Sequence, residues 1–285
     1  MKTLASATTP AESLLRGAAR RNAVRRLLAL IPPNVREPLV FGGARRQLAL
    51  QRLIGGPSSV AITYNRGLLR GLKFRCLTSE KYFVMGADYE RRLVGAILPL
   101  LGPRSVVYDV GAHAGFWSLV FSRACPEGSV CAFEPSPANL QRLKENVAQV
   151  ANVLVVPRAA SDASGSVRFS EGGSCSSVSP EGEIEVETVQ LDHCGVPRPS
   201  FIKIGVEGHA ARVLAGAARI LEACRPAILC EVHNREEDEA VRGLAGYRVC
   251  EMERSRRFPM HLLAAPSESW SSPALARLEK RGLAR

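Results

Sequence analysis

The sequence predicts an α/β fold: a doubly wound, mostly parallel sheet preceded by a helical N-terminal extension. Two observations carry that expectation. From residue 104 onward, short apolar strands alternate with helical stretches, the order that parallel strands joined by crossover helices require. The first of those strands runs directly into a glycine-rich turn that opens a helix. The length of 285 residues suits one large α/β domain with an extension, and 46% hydrophobic with 23% charged residues is ordinary for a chain with a sizeable core. The expected division is a basic helical extension over 1–55, a hairpin and helix lead-in over 56–100, a ligand-binding domain over 101–265 and a C-terminal tail or helix over 266–285.

In the extension, Leu14, Leu15, Ala18 and Ala19, then Val24, Leu27 and Leu28, form an apolar stripe between arginines, and Pro32-Pro33 is expected to stop it. Val60 to Tyr64 and Leu72 to Leu77 read as strands of a hairpin around Asn65-Arg66-Gly67, and a helix is expected over Asp88 to Leu100. In the domain, strands are expected at Ser105–Val110, Ser129–Phe133, Asn152–Pro157, Phe201–Val206 and Ala227–Val232. Ser136-Pro137 supplies an N-cap and a proline suited to a first helical turn. Val167–Ser170 and Glu183–Val189 alternate polar and apolar residues as an exposed hairpin or edge would, and Tyr247 to Leu263 suits an antiparallel strand pair.

Charge is unevenly placed. Residues 1–75 hold 14 Lys/Arg against 2 Asp/Glu, a net +12, while 76–285 hold 24 against 25, a net −1. Such a segment suits either a solvated arginine-rich helix or contact with nucleic acid or an anionic membrane. Residues 1–35 also share the arginine-rich, acid-poor character of an organelle transit peptide. The longest apolar run, Leu93 to Leu101, is too short to span a bilayer and contains Pro99, so a cytoplasmic location is expected. The eight cysteines form no C-x-x-C pair and have no histidine at zinc-ligand spacing, so we expect neither a metal site nor a disulfide framework.

The ligand signal begins at the first domain strand. Asp109-Val110-Gly111-Ala112-His113-Ala114-Gly115 gives a sharp turn where backbone can approach a ligand at a helix N-terminus. The next strand ends in Phe133-Glu134-Pro135, 19 residues after Gly115, where a carboxylate suits a ribose diol. The spacing is not G-x-G-x-x-G, and Asp109 would repel a pyrophosphate. A carboxylate there suits a cofactor with a cationic end, such as the amino group and sulfonium of S-adenosylmethionine (SAM).

These residues resemble motifs I and II of class I, Rossmann-like SAM methyltransferases. Phe201-Ile202-Lys203-Ile204-Gly205-Val206-Glu207-Gly208-His209 is similar to the I-K-I-D-V-E-G-H-E signature of the FkbM methyltransferase family. Val213-Leu214-x-Gly216-Ala217, Ile228-Leu229-Cys230-Glu231-Val232-His233 and the Gly86 with Tyr89-Glu90 segment match it further. The resemblance covers roughly residues 80–255. It implies that SAM is held by Asp109, Gly111, Ala112, His113, Gly115, Glu134 and Pro135, with Ser161-Asp162 on the adenine side. It implies a small-molecule acceptor, a sugar or specialised metabolite, methylated on a hydroxyl, with methylation on nitrogen equally open mechanistically. Lys203, Glu207, His209, Glu231 and His233 are the candidate catalytic and substrate-orienting groups, with Lys203 reaching the site or pairing with Glu231. The chain departs from the family at Gly205, where an aspartate is usual, and at Ala210, where an acidic residue is usual. A non-catalytic SAM-binding or interaction protein is therefore the second reading. A nucleic-acid methyltransferase is the third, disfavoured by the near-neutral domain and the lack of interleaved aromatics in the basic segment.

Overall fold

The computed structural model describes residues 10–56, 58–172, 176–252 and 258–280. It divides into two compact units, one up to Tyr89 and one from Glu90.

The first unit opens with helices α1 (Pro10–Ala29), α2 (Pro33–Phe41) and α3 (Ala44–Ile54). As expected, α1 ends ahead of Pro32-Pro33, and Pro33 in turn begins α2. At the first position of α2 its missing N–H has no intrahelical partner to lose. Gly55, at φ 86°, closes α3 in the left-handed conformation. Strands β1 (Ser59–Thr63) and β2 (Lys73–Leu77) pair antiparallel from Ser59↔Leu77 to Thr63↔Lys73, and α4 (Lys81–Met85) follows. Phe74 and Tyr82 meet edge to face with centroids 5.0 Å apart in the core of this unit. Arg36, deeply buried, donates to Asp88 Oδ2 at 2.5 Å, and Arg66 donates to the same oxygen at 2.5 Å.

The helix expected over Asp88–Leu100 is shorter. A 3-10 turn over Gly86–Asp88 leads to Glu90 at φ 46°, so α5 begins only at Arg91 and ends at Ile97. Leu98–Leu100 is again 3-10, because Pro99 lacks the N–H that would continue the α-ladder.

The second unit is built on β3 (Val106–Val110), β4 (Ser129–Phe133), β5 (Val153–Val156), β10 (Phe201–Ile204), β11 (Ala227–Val232), β12 (Tyr247–Glu251) and β13 (Met260–Pro266). Their order across the sheet is β12-β13-β11-β10-β3-β4-β5. All neighbours are parallel except β13, which runs antiparallel to both β11 and β12. Helices α6 (Phe116–Ala124), α7 (Pro137–Val147), α8 (Ala210–Ala215), α9 (Ala218–Ala223) and α10 (Arg235–Arg242) connect the strands, and α11 (Pro273–Lys280) ends the described chain. This is the expected doubly wound, mostly parallel architecture. Strand alternation sends Tyr108, Val110, Ile202, Ile204, Ile228 and Cys230 to one face against Val213, Leu214, Ile220 and Val241. Residues of the opposite phase meet α6, where Phe121 packs on Phe201 at 5.8 Å between centroids.

The polar stretch between β5 and β10 is not a simple hairpin. It forms a separate four-stranded sheet, ordered β6 (Ala159–Ala160), β9 (Ile184–Val189), β7 (Gly165–Ser170), β8 (Ser177–Val178). Among the described residues, seven cysteines form no disulfide; Cys76, Cys125, Cys131, Cys230 and Cys250 are buried, and Cys194 and Cys224 are half-buried. No helix among those residues is long and apolar enough to cross a membrane.

Candidate functional site

The carboxyl ends of β3, β4 and β10 open into one cleft, roofed by β6, Phe169 of β7 and Ser177-Val178 of β8. It encloses about 590 Å³ of non-atom space, its mouth included. Central strands meeting at their carboxyl ends are where open α/β sheets bind ligands.

One wall is the turn after β3. Gly111 adopts φ 75°, and a Cβ on it would stand 2.0 Å from the Gly205 carbonyl oxygen. The turn is thus packed against the start of the segment after β10, with no room for a side chain. His113 also takes a left-handed conformation, φ 52°. Its backbone N–H donates to Glu134 Oε2 at 2.7 Å, and this bond compensates an uncommon backbone geometry. Gly115, at φ 89°, starts α6; a Cβ there would press on Leu143 of α7.

Glu134 is the floor of the cleft. Besides His113, it accepts from the Ser136 N–H at 2.9 Å and from Asn139 Nδ2 at 3.3 Å. Burial raises its pKa, and the hydrogen bonds from Ser136, His113 and Asn139 act against that. Three donors on a carboxylate with roughly four lone-pair directions leave space for about one more hydrogen bond, not the two that a ribose diol would offer.

The other wall is the segment after β10. Gly205, Val206, Glu207 and His209 all line the cleft. His209 Nε2 lies 3.0 Å from Ser161 Oγ, and the Ser161 hydroxyl donates to Asp162 Oδ1 at 3.0 Å. Burial, reinforced by the charge of Arg212, lowers the His209 pKa below the ordinary histidine value. Glu207 instead faces His233, with its Oε2 3.1 Å from His233 Nε2. Hydrogen bonding to Glu207, with the Glu237 carboxylate close by and against the effect of burial, raises His233 to about 10. Glu207 is the stronger partner: Glu237 Oε2 stands 3.7 Å from His233 Nδ1, beyond hydrogen-bond distance. Glu237 serves the backbone, accepting from Ala210 N at 2.7 Å and His233 N at 2.6 Å.

The structure separates the expected site residues into two sets. Gly111, His113, Glu134, Pro135, Glu207 and His209 face the cleft. Asp109, Ala112, Gly115, Ser161, Asp162, Lys203, Glu231 and His233 do not line it. Asp109 stands apart from the cleft lining. Strand alternation turns it toward α6, where it is fully buried and accepts from the Ser118 hydroxyl at 2.6 Å. Lys203 stands directly across the β3–β10 ladder from it, with Nζ 3.5 Å from Asp109 Oδ1. Lys203 Nζ also donates to the Gly111 carbonyl at 3.0 Å, so it braces the turn rather than pairing with Glu231. Asp162 is likewise engaged outside the cleft, with Arg212 at 2.8 Å. Sequence reasoning missed Asn139, Arg158 and Phe169 as lining residues. Arg158 directly follows the third strand, a position the β5 reading could have flagged.

The Gly205 departure has a structural counterpart. A Cβ built at 205 would meet Lys203 Nζ at 2.5 Å and Cε at 2.9 Å. The lysine head occupies the volume of a larger side chain at that point.

The family model described as Methyltransferase FkbM domain matches residues 109–258, 150 of the 285. Hexuronic acid methyltransferase AglP of Haloferax volcanii is 28% identical over 153 residues, covering 50% of this chain and 62% of that protein. The chain therefore spans less than two thirds of that relative. Among solved structures, methyltransferase FkbM from Methylobacillus flagellatus KT is 17% identical with a TM-score of 0.45, over 66% of this chain and 53% of that one. Precorrin-6y C5,15-methyltransferase from Geobacter metallireducens GS-15 is also 17% identical, with a TM-score of 0.42, over 62% of this chain and 87% of that one.

Proposed function

The chain belongs to the FkbM methyltransferase family, and on that premise we propose that it methylates a hydroxyl of a sugar or specialised metabolite, using SAM held in the cleft between Gly111 and His209. The observation that carries this reading is the polarity of the cleft. It has a glycine turn and the Glu134 carboxylate at one end, and Glu207 with an uncharged histidine at the other. The residues present fit the cofactor. Gly111 gives close backbone approach, and Glu134 has acceptor capacity for a ribose hydroxyl. Bound SAM supplies a methyl group made electrophilic by its sulfonium.

His209 then has the base role. Its lowered pKa leaves it neutral at neutral pH, able to take the proton of an acceptor hydroxyl as the oxygen gains the methyl group. Glu207 orients the acceptor, its carboxylate fixed by the charged His233. Asp109, Lys203 and Ser118 are positioning residues that hold the turn from behind. Alignment of donor and acceptor is the larger share of such catalysis, so these supports matter. The sugar class of acceptor is drawn from the hexuronic acid activity of the Haloferax relative.

A second reading is favoured by Lys203 and Gly205. Loss at Gly205 of the carboxylate that the family carries, its volume filled by the Lys203 head, suits a SAM-binding protein with little turnover. Calorimetric titration with SAM and S-adenosylhomocysteine tests the cofactor site. Radiolabelled methyl transfer to uronic-acid oligosaccharides then separates the two readings. His209→Gln should keep cofactor affinity and lower turnover by about 10²–10⁴-fold. Absence of binding to either ligand would remove both readings.

A further inference from the structure

The N-terminal unit carries a surface that methyl transfer does not use. Nine large hydrophobic side chains are exposed among the described residues, and seven of them fall within this unit: Leu27, Leu30, Val35, Leu39, Leu48, Leu53 and Leu68. Leu30 is 81% exposed and Leu27 66%. A soluble surface tolerates such residues singly, but seven in one short unit call for an explanation.

The same segment is cationic. Residues 10–54 hold nine arginines and two glutamates. Helix α3 shows the arrangement most directly. Gln47, Leu50, Gln51 and Ile54 turn inward, and Arg45, Arg46, Leu48, Arg52 and Leu53 are exposed. In α2, Val35 and Leu39 lie one helical turn apart, both exposed. The nearby carboxylates are committed. Glu37 pairs with Lys81, Glu80 accepts from Leu77 N, and Asp88 holds Arg36 and Arg66. Among the described residues, Arg26, Arg45 and Arg52 have no carboxylate partner.

We propose that this unit docks on an anionic lipid surface, its exposed leucines entering the headgroup boundary and its arginines meeting lipid phosphates. Arginines and exposed leucines together supply the electrostatic attraction and the apolar area on which interfacial binding draws. No described helix is fit to span the bilayer, so the contact is peripheral. Two competing occupants fit less well. Nucleic acid would use the arginines but leaves the leucines without a role, and α1–α3 carry only Phe41 as an aromatic. A second copy would set like charge against like.

The test is co-sedimentation of the full chain with vesicles of pure phosphatidylcholine, or of phosphatidylcholine with phosphatidylglycerol. The protein should pellet with the anionic vesicles at low salt, and be released when about 0.5 M salt shortens the screening length to a few ångströms. Leu48→Ser combined with Leu53→Ser should weaken partitioning several-fold. Arg45→Gln with Arg52→Gln should weaken it roughly 25-fold, about fivefold for each arginine removed. Leu154→Ser, an exposed leucine of the other unit, should change nothing. Both pairs lie on an outward face, and matching thermal transitions would show that folding is intact. The proposal is overturned if the parent protein stays in the supernatant with both vesicles. It is equally overturned if the leucine pair binds as the parent does, if single-stranded RNA competes the protein off the vesicles, or if light scattering finds a dimer that the leucine pair dissolves.

Discussion

Among single residues, Gly111 tolerates a side chain poorly on two counts. A side chain there faces both a left-handed backbone, which costs roughly 1–2 kcal/mol for an L-residue, and overlap with the Gly205 carbonyl. Gly111→Ala should therefore fold with reduced stability and lose most of its cofactor affinity by calorimetry. Unchanged affinity would mean that the turn is not the binding wall. Lys203 is readable in a different way. Its ammonium lies between the Gly111 carbonyl and Asp109, so Lys203→Met leaves a fully buried carboxylate with only Ser118 as a partner. Removing one member of a buried pair costs about 3–5 kcal/mol. Chemical denaturation should show a loss of that order, and Asp109→Asn in the same chain should restore part of it. If Lys203→Met alone is as stable as the parent, the pair has no bracing role.

At the level of elements, the junction of β11, α8 and α10 is held by one side chain. Asn234 caps α10 by accepting from Glu237 N, and Glu237 reaches back to the His233 N–H and across to the first residue of α8. Two charge-assisted bonds in a buried setting predict a cost on the order of 3 kcal/mol for Glu237→Ala. For a unit of this size that lowers the melting temperature by about 6–12 °C, and Glu237→Gln, which keeps one acceptor, should lose about half as much. Elements of this kind were unequally legible. The main strands announce themselves by apolar runs of four to six residues, and Ser136-Pro137 marks α7 by its cap. Strands β6 and β8 have two residues each, too few to show any period, so the second sheet was visible only as an alternating pair. That is also why Phe169 was missed: it reaches the cleft through the small sheet folding back over the large one. The pairing of Lys203 with Asp109 needed strand order, which periodicity does not supply.

Across the whole molecule, protonation couples the wall after β10 to stability. The folded state holds the His233 proton up to about pH 10, against roughly 6.5 when unfolded. The stabilisation is therefore complete below about pH 6.5 and is lost as pH rises toward 10. Melting temperatures of the parent should fall across that interval, and His233→Gln should flatten the slope; identical slopes would show that the Glu207–His233 pair contributes nothing. The buried thiols lead to a different consequence. Cys131 is pushed up to about 12 by burial and by neighbouring Cys194, and Cys125 and Cys230 are shifted the same way. A sulfhydryl that is both shielded and protonated is inert to alkylating reagents, whereas the unfolded chain exposes it near its ordinary value. With Cys125 in the loop after α6, Cys131 in β4, Cys230 in β11 and Cys250 in β12, the molecule carries its own set of clocks. Timed alkylation read by mass spectrometry would date the opening of the main sheet strand by strand, with no label added.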